Sequence, residues 1–284
     1  MPLDTIKAPL IDLYYLATLP QRKQAAAARQ EQCQVPIISL FYHRIADEHP
    51  NEWTMSNEMF RRQIEWLQER FDIVTLEEAQ KRIASESNDR PTVCITFDDG
   101  YADNCDTALP WLIEQSVPVT YFVTSQNVIN GDPFPHDVKA GHPQAINTPD
   151  QLRELAQAGI EIGAHTRTHA DLGKTNNEID LYNEIVGSKR ELEDMVQRPV
   201  RYFAFPFGLP SNMSTASFRI AFEAGFWGVC SAYGGYNLPG EDSFHLQRIH
   251  GDPEWSRFRN WMTVDPRKLK REREFNPGDY RDRF

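Results

Sequence analysis

From residue 36 onward, short apolar runs alternate with amphipathic helical patterns, and this alternation constrains the fold more than any other feature. The runs 36–42, 92–97, 117–123, 160–164, 200–205, 226–230 and 245–249 read as strands. Helices are expected over 102–115, 148–158, 177–197, 214–224 and 254–261, and Ser56 opens another whose apolar stripe is Phe60, Ile64 and Leu67. Thr75 with Glu78, and Thr148 with Gln151, have the spacing of capping boxes. Strands that alternate with helices pair in parallel, because a parallel partner needs a long crossover. The chain is therefore α/β, either a barrel or a doubly wound sheet. In both, chemistry gathers at the carboxyl ends of the strands.

A chain of 284 residues with this apolar content can bury one large core. Three parts are expected: a polar, alanine-rich helical extension over 1–35, a catalytic domain over 36–264, and a polar tail over 265–284. The mixed-sign run 267–274 reads as a solvated part of that tail. With 41 acidic against 30 basic side chains, the formal charge of −11 argues against a phosphate-tracking surface for nucleic acid and suits a neutral or cationic substrate. Cys33, Cys94, Cys105 and Cys230 are scattered, without metal spacing, and read as packed thiols of a reducing compartment. Asp4, Asp12 and the charged stretch 21–24 interrupt any secretory pattern, and no run approaches the roughly 18 apolar residues of a membrane span. A cytoplasmic location is the expectation.

Two strand ends carry the chemistry. Thr92-Val93-Cys94-Ile95-Thr96-Phe97-Asp98-Asp99-Gly100 is a buried strand ending in adjacent carboxylates. Successive side chains of an extended chain point in different directions, so one aspartate can bind a metal while the other moves a proton. An ordinary acidic loop is the alternative. Ile160-Glu161-Ile162-Gly163-Ala164-His165-Thr166-Arg167-Thr168-His169 ends in two histidines four residues apart, which can converge on one ion. Thr166 stands where a His-Glu-x-x-His protease would have its glutamate, which removes that reading. Asp99 is the natural third ligand, completing a two-histidine, one-carboxylate site with open positions.

Together with Phe203-Ala204-Phe205-Pro206-Phe207-Gly208, these segments resemble the successive motifs of the NodB-homology polysaccharide deacetylase family. The similarity extends to Tyr42-His43-Arg44-Ile45 and to 118–123, and so covers roughly 36–250 in family order. The resemblance implies a distorted (β/α) barrel of about seven parallel strands. It also implies a divalent metal, zinc first with cobalt or manganese as substitutes, and hydrolysis of N-acetyl groups on amino sugars of an oligo- or polysaccharide. Carried over by position, Asp98 resembles the general base, and Asp99, His165 and His169 the metal ligands. The Phe207 backbone N–H resembles the oxyanion donor.

Many members carry an arginine two residues before the proline of the Phe-Pro-Phe-Gly loop, where this chain has Ala204. Arg248, in the run Leu246-Gln247-Arg248-Ile249-His250 that resembles the last family motif, is the candidate substitute partner for Asp98, with Arg201 as rival. His250 is the candidate general acid. His43, Tyr101 and Trp255 are the expected substrate contacts. Two other functions stay open: a related amidase acting on a non-sugar amide, and a weakly active carbohydrate-binding barrel.

Overall fold

A computed structural model of the chain describes residues 4–175, 177–269 and 275–281. Eight parallel strands form a nearly closed barrel: β1 (Ile37–Tyr42), β2 (Thr92–Phe97), β3 (Val119–Val123), β4 (Glu161–Ala164), β5 (Tyr202–Ala204), β6 (Gly228–Cys230), β7 (His245–Leu246) and β8 (Arg248–His250). Their order is β7-β6-β5-β4-β3-β2-β1-β8. β7 and β8 are halves of one extended stretch broken at Gln247. The first half pairs with β6 and the second with β1, so this single stretch joins the two edges of the sheet. A short strand at Asp72–Ile73 adds to the start of β2.

Both faces of the strands are buried, which is why they read as unbroken apolar runs. One set of side chains, including Leu40, Tyr42, Ile95, Phe97 and Tyr121, packs outward with helix residues such as Phe60, Ile64 and Leu112. The other, including Ile37, Cys94, Phe122, Tyr202 and Cys230, fills the barrel. The helix Leu76–Ala84 adds Leu76, Ala79 and Ile83 to that inner set, and Gln80 on the same helix binds the Tyr202 hydroxyl. This helix plugs the amino end of the barrel and leaves the carboxyl end open.

Most helices lie where the periodicity puts them, at Asn57–Gln68, Pro149–Gln157, Thr215–Glu223 and Trp255–Met262. The expected helix 102–115 divides into a 3₁₀ turn, Ala102–Cys105, and an α-helix, Ala108–Glu114. The expected helix 177–197 contains a π-helical turn, Asn183–Gly187. Thr148 and Gln151 form a reciprocal capping box. Thr75 caps its helix on one side only, since the Glu78 carboxylate pairs with Arg82 instead.

The extension is a helix, Asp4–Glu31, docked on the domain through Arg22, which donates to the Asn260 carbonyl at 2.8 Å, and through an Arg259–Asp12 pair. Part of the charged run, 270–274, lies outside the described residues. Beyond it, Phe275 stacks on Phe218 at 4.5 Å, and Tyr280 is buried beside it. No helix of the described residues is long and apolar enough to cross a membrane.

Candidate active site

β2 delivers both aspartates to the open end of the barrel, and both are buried. The Asp98 N–H donates to the Tyr42 carbonyl at 2.9 Å, which continues the β1–β2 ladder by one residue. Asp99 then turns into the left-handed region, φ 78°, and this reversal separates the two carboxylates. Thr166, His169 and Phe207 also have positive φ, at 63°, 58° and 61°. Such backbone is costly for residues with a Cβ, and its concentration around one cleft marks a site that the surrounding structure holds in place.

Asp98 meets Arg248. The guanidinium donates through Nη1 to Oδ1 at 2.6 Å and through Nη2 to Oδ2 at 2.8 Å, a bidentate pair. Arg248 is fully buried, with Nε on the Ser231 carbonyl and Nη1 also on Thr96 Oγ1, and it lies between the rings of Phe41 and Phe122. Burial pushes the Asp98 pKa up, but the Arg248 charge and hydrogen bonds, with a smaller effect from His165, bring it below the usual carboxylate value. Arg201 is at the other end of the barrel, tied to Glu77 and Glu161.

Asp99 meets the histidines. Its Oδ1 lies 3.4 Å from His165 Nε2 and 3.3 Å from His169 Nε2, and one donor atom from each of the three residues falls within 4.8 Å of the others. His165 Nδ1 is 2.8 Å from the Ala204 carbonyl, which can only accept, so Nδ1 carries the proton and Nε2 presents its lone pair. Asp99 Oδ1 is buried with no hydrogen-bond donor of its own. The lone-pair nitrogen of His165, the His169 imidazole beside it and a buried orphan oxygen form a donor set that suits a divalent ion such as zinc. Asp99, His165 and His169 would hold it.

Sequence reading missed the supports of the histidine loop. Glu184 accepts from the N–H groups of Arg167 and Thr168 at 2.9 and 3.0 Å, and from the Thr168 hydroxyl. Glu191 binds Arg167 Nε and the Ser125 hydroxyl. Glu184 sits in the π-helical turn, a feature that recurs at functional sites and that local periodicity cannot reveal.

The remaining predicted residues divide. The cleft, about 460 Å³, is lined by His43, Trp53, Asp98, Asp99, His165 and His169, with Phe207 and Leu209 at the rim. Phe207 lays its ring against His169 at 5.0 Å, and Gly208 beside it has no room for a Cβ, which would meet the Ala232 amide at 2.5 Å. His43 is half-buried against Trp53, and its desolvation lowers its pKa. His250 packs among Phe41, His43 and Trp53, and burial pushes it down to about 4. Tyr101 is fully buried, with its hydroxyl on Asp137, and Trp255 is covered by Arg62, Trp66 and Phe258. The structure brings neither of those two into the cleft. Trp53 takes the aromatic position there, in a loop tied down by Asn51 to Asp137 and by Arg44 to the carbonyls of Glu48 and His49.

The profile of the family described as polysaccharide deacetylase matches residues 85–226, half of the sequence. The chain belongs to the polysaccharide deacetylase family. The matched segment holds Asp98, Asp99, His165, His169 and Phe207, but not His43, Arg248 or His250. Among family relatives, YxkH of Bacillus subtilis is 26% identical over 181 residues, covering 63% of this chain and 58% of that protein. A chitooligosaccharide deacetylase of Bradyrhizobium is 25% identical over 141 residues, covering 49% and 56%. The chain thus spans a little over half the length of these curated relatives. The same fold occurs in IcaB from Ammonifex degensii, 21% identical with a TM-score of 0.68, over 80% of this chain and 97% of that one. The Streptococcus pyogenes deacetylase PplD is 20% identical with a TM-score of 0.68, over 81% and 99%.

Proposed function

We propose that the protein is a metal-dependent hydrolase that removes N-acetyl groups from amino sugars of an oligo- or polysaccharide. The observation that carries this reading is the adjacency of two differently equipped aspartates. Asp98 is clamped and ionised by Arg248, while Asp99 converges with two imidazole nitrogens. General base and metal site are thereby separate groups on one strand end. A bound divalent metal, with zinc favoured and cobalt or manganese able to replace it, supplies a Lewis acid that polarises the amide carbonyl and acidifies water.

The chain's own residues do the rest. Asp98 accepts the proton of the attacking water as its oxygen bonds to the carbonyl carbon. Arg248 keeps that carboxylate ionised and oriented. The Phe207 N–H is assigned to the developing oxyanion. Rupture of the C–N bond needs a proton on the leaving nitrogen, and His250 is assigned its delivery. Because His250 rests neutral, the proton it delivers is the one Asp98 took from the water, which returns Asp98 to its ionised form. Trp53 and His43 offer a wall on which a sugar face can pack. The products are acetate and a free amino sugar. The domain limits 36–264 and a cytoplasmic site of action belong to the same reading.

The test is acetate release from a panel of N-acetylated oligosaccharides by chelated and metal-reloaded protein, with metal counted per chain. One divalent ion per chain, activity lost on chelation and regained with zinc, cobalt or manganese is expected. His165→Ala and His169→Ala should lose metal and turnover together. Full turnover in metal-free protein would refute the reading.

A further inference from the structure

Away from the cleft, the N-terminal helix Asp4–Glu31 leaves a groove of about 410 Å³ beside the amino ends of β1 and β2. Its helical wall is Tyr15, Leu19, Arg22, Ala26 and Arg29, a single stripe spaced by three and four residues and about 21 Å long at 1.5 Å per residue. The facing wall is apolar, made by Ile38, Trp66, Phe71, Met262 and Val264.

The charge of this groove runs against that of the protein. Arg22, Lys23, Arg29 and Arg70 line it, and no carboxylate does among the described residues, in a chain whose formal charge is −11. Arg70 has partners of its own, pairing with Glu69 and stacking on Trp66. Arg22 is different. It is 4% exposed; its guanidinium hydrogen-bonds only to neutral acceptors, Thr18 Oγ1, the Asn260 carbonyl and Oδ1, and Thr263 Oγ1, and lies near the rings of Tyr14 and Tyr15. A buried cation is expensive unless an anion compensates it, and hydrogen bonds and ring contacts with neutral groups supply no counter-charge. Lys23 and Arg29, nearby on the same helix, make no ion pair with a described residue.

We propose that this groove binds a single-chain amphiphile with an anionic head, its alkyl chain along the Ile38–Trp66–Met262 wall and its head at Arg22, Lys23 and Arg29. The shared chemistry covers a fatty carboxylate and an alkyl phosphate. This site is independent of the catalytic reading.

Calorimetric titration of the full chain with decanoate, dodecanoate and dodecyl phosphate, each below its micelle concentration, tests it. One saturable site is expected, tightening about threefold to fourfold per added methylene, and the stronger of the two dodecyl ligands identifies the head group. Dodecyltrimethylammonium, with the same chain and the opposite charge, should not bind. Arg29→Glu should weaken anion binding by about tenfold or more. Ala26→Trp, which fills the groove from the helix surface, should abolish it while circular dichroism and deacetylation stay as in the parent. Equal binding of the cationic amphiphile, full affinity in the Ala26→Trp protein, or no saturable binding of either anion would overturn the proposal.

Discussion

Replacing Arg248 tests the link between the barrel and the proposed chemistry. Arg248→Ala removes two charged hydrogen bonds of 2.6 and 2.8 Å and leaves a buried carboxylate with no cation against it. Breaking a buried ion pair from one side costs about 3–5 kcal/mol, equivalent to roughly 6–20 °C in melting temperature for a chain of this size. Asp98 sits below the usual carboxylate value only because Arg248, helped by His165, outweighs burial. With Arg248 gone, burial prevails and the folded pKa rises above the usual carboxylate value. The sign of the pH dependence then reverses. In the parent protein, ionised Asp98 contributes stability present above its unfolded pKa and lost as pH falls through its lower folded pKa. In the variant, the folded pKa lies above the unfolded one, so the contribution is present at acid pH and lost as pH rises between the two. The acidic limb of kcat/KM should move to higher pH, with a rate loss approaching about 10²–10⁴ if the base is also misplaced. Arg248→Lys should be intermediate, since an ammonium restores charge without the planar fork. The assay is a pH series of acetate release alongside thermal melts and metal content. An alanine variant with the parent's acidic limb would refute the assignment of Arg248 to Asp98, and one that loses metal as well would place Arg248 in the metal site instead.

Three further outcomes are expected. Asp98→Asn should retain one metal ion per chain while losing about 10²–10⁴-fold in kcat, and Asp99→Asn should lose metal; exchange of these phenotypes, read by metal analysis and kinetics, would reverse the two roles. Glu184→Gln keeps the size of the side chain but weakens its hold on the Arg167 and Thr168 amides, so metal affinity should fall by about 10–100-fold in competition with a chromophoric chelator, whereas unchanged affinity would make Glu184 a bystander. His250, pushed down to about 4 by burial, takes up fewer protons folded than unfolded, so its contribution to stability is lost as pH falls from about 6.5 toward 4; His250→Gln should flatten that part of the melting-temperature profile and slow turnover, and an identical profile would show that His250 is not the group titrating there.

What the residues determine locally, the sequence alone determined. Strand and helix positions follow from runs of 3–6 residues and from 3.6-residue periodicity, so β1, β2 and the helix Pro149–Gln157 were legible within a residue or two. The cluster proposed to hold metal was legible for a similar reason: His165 and His169 are four apart in one loop, and Asp99 ends an unmistakable strand. The Asp98–Arg248 pair spans 150 residues and depends on register. Phe41 aligns with Thr96 on one side and with His250 on the other, and Ser39 aligns with Arg248, so closure of the sheet by β8 carries the guanidinium to the aspartate. Two residues of the same type show the limit most clearly. Local pattern puts Trp255 at the start of a helix and Trp53 in a loop without saying which faces the site; Trp255 is covered by Arg62 and Trp66, while Trp53 is held in the cleft by a loop anchored on Arg44 and Asp137. Glu184 likewise became visible only once a π-helical turn aimed it at the histidine loop. Exposure and aim of a side chain are set by its neighbours in space, and those neighbours come from parts of the chain far away in sequence.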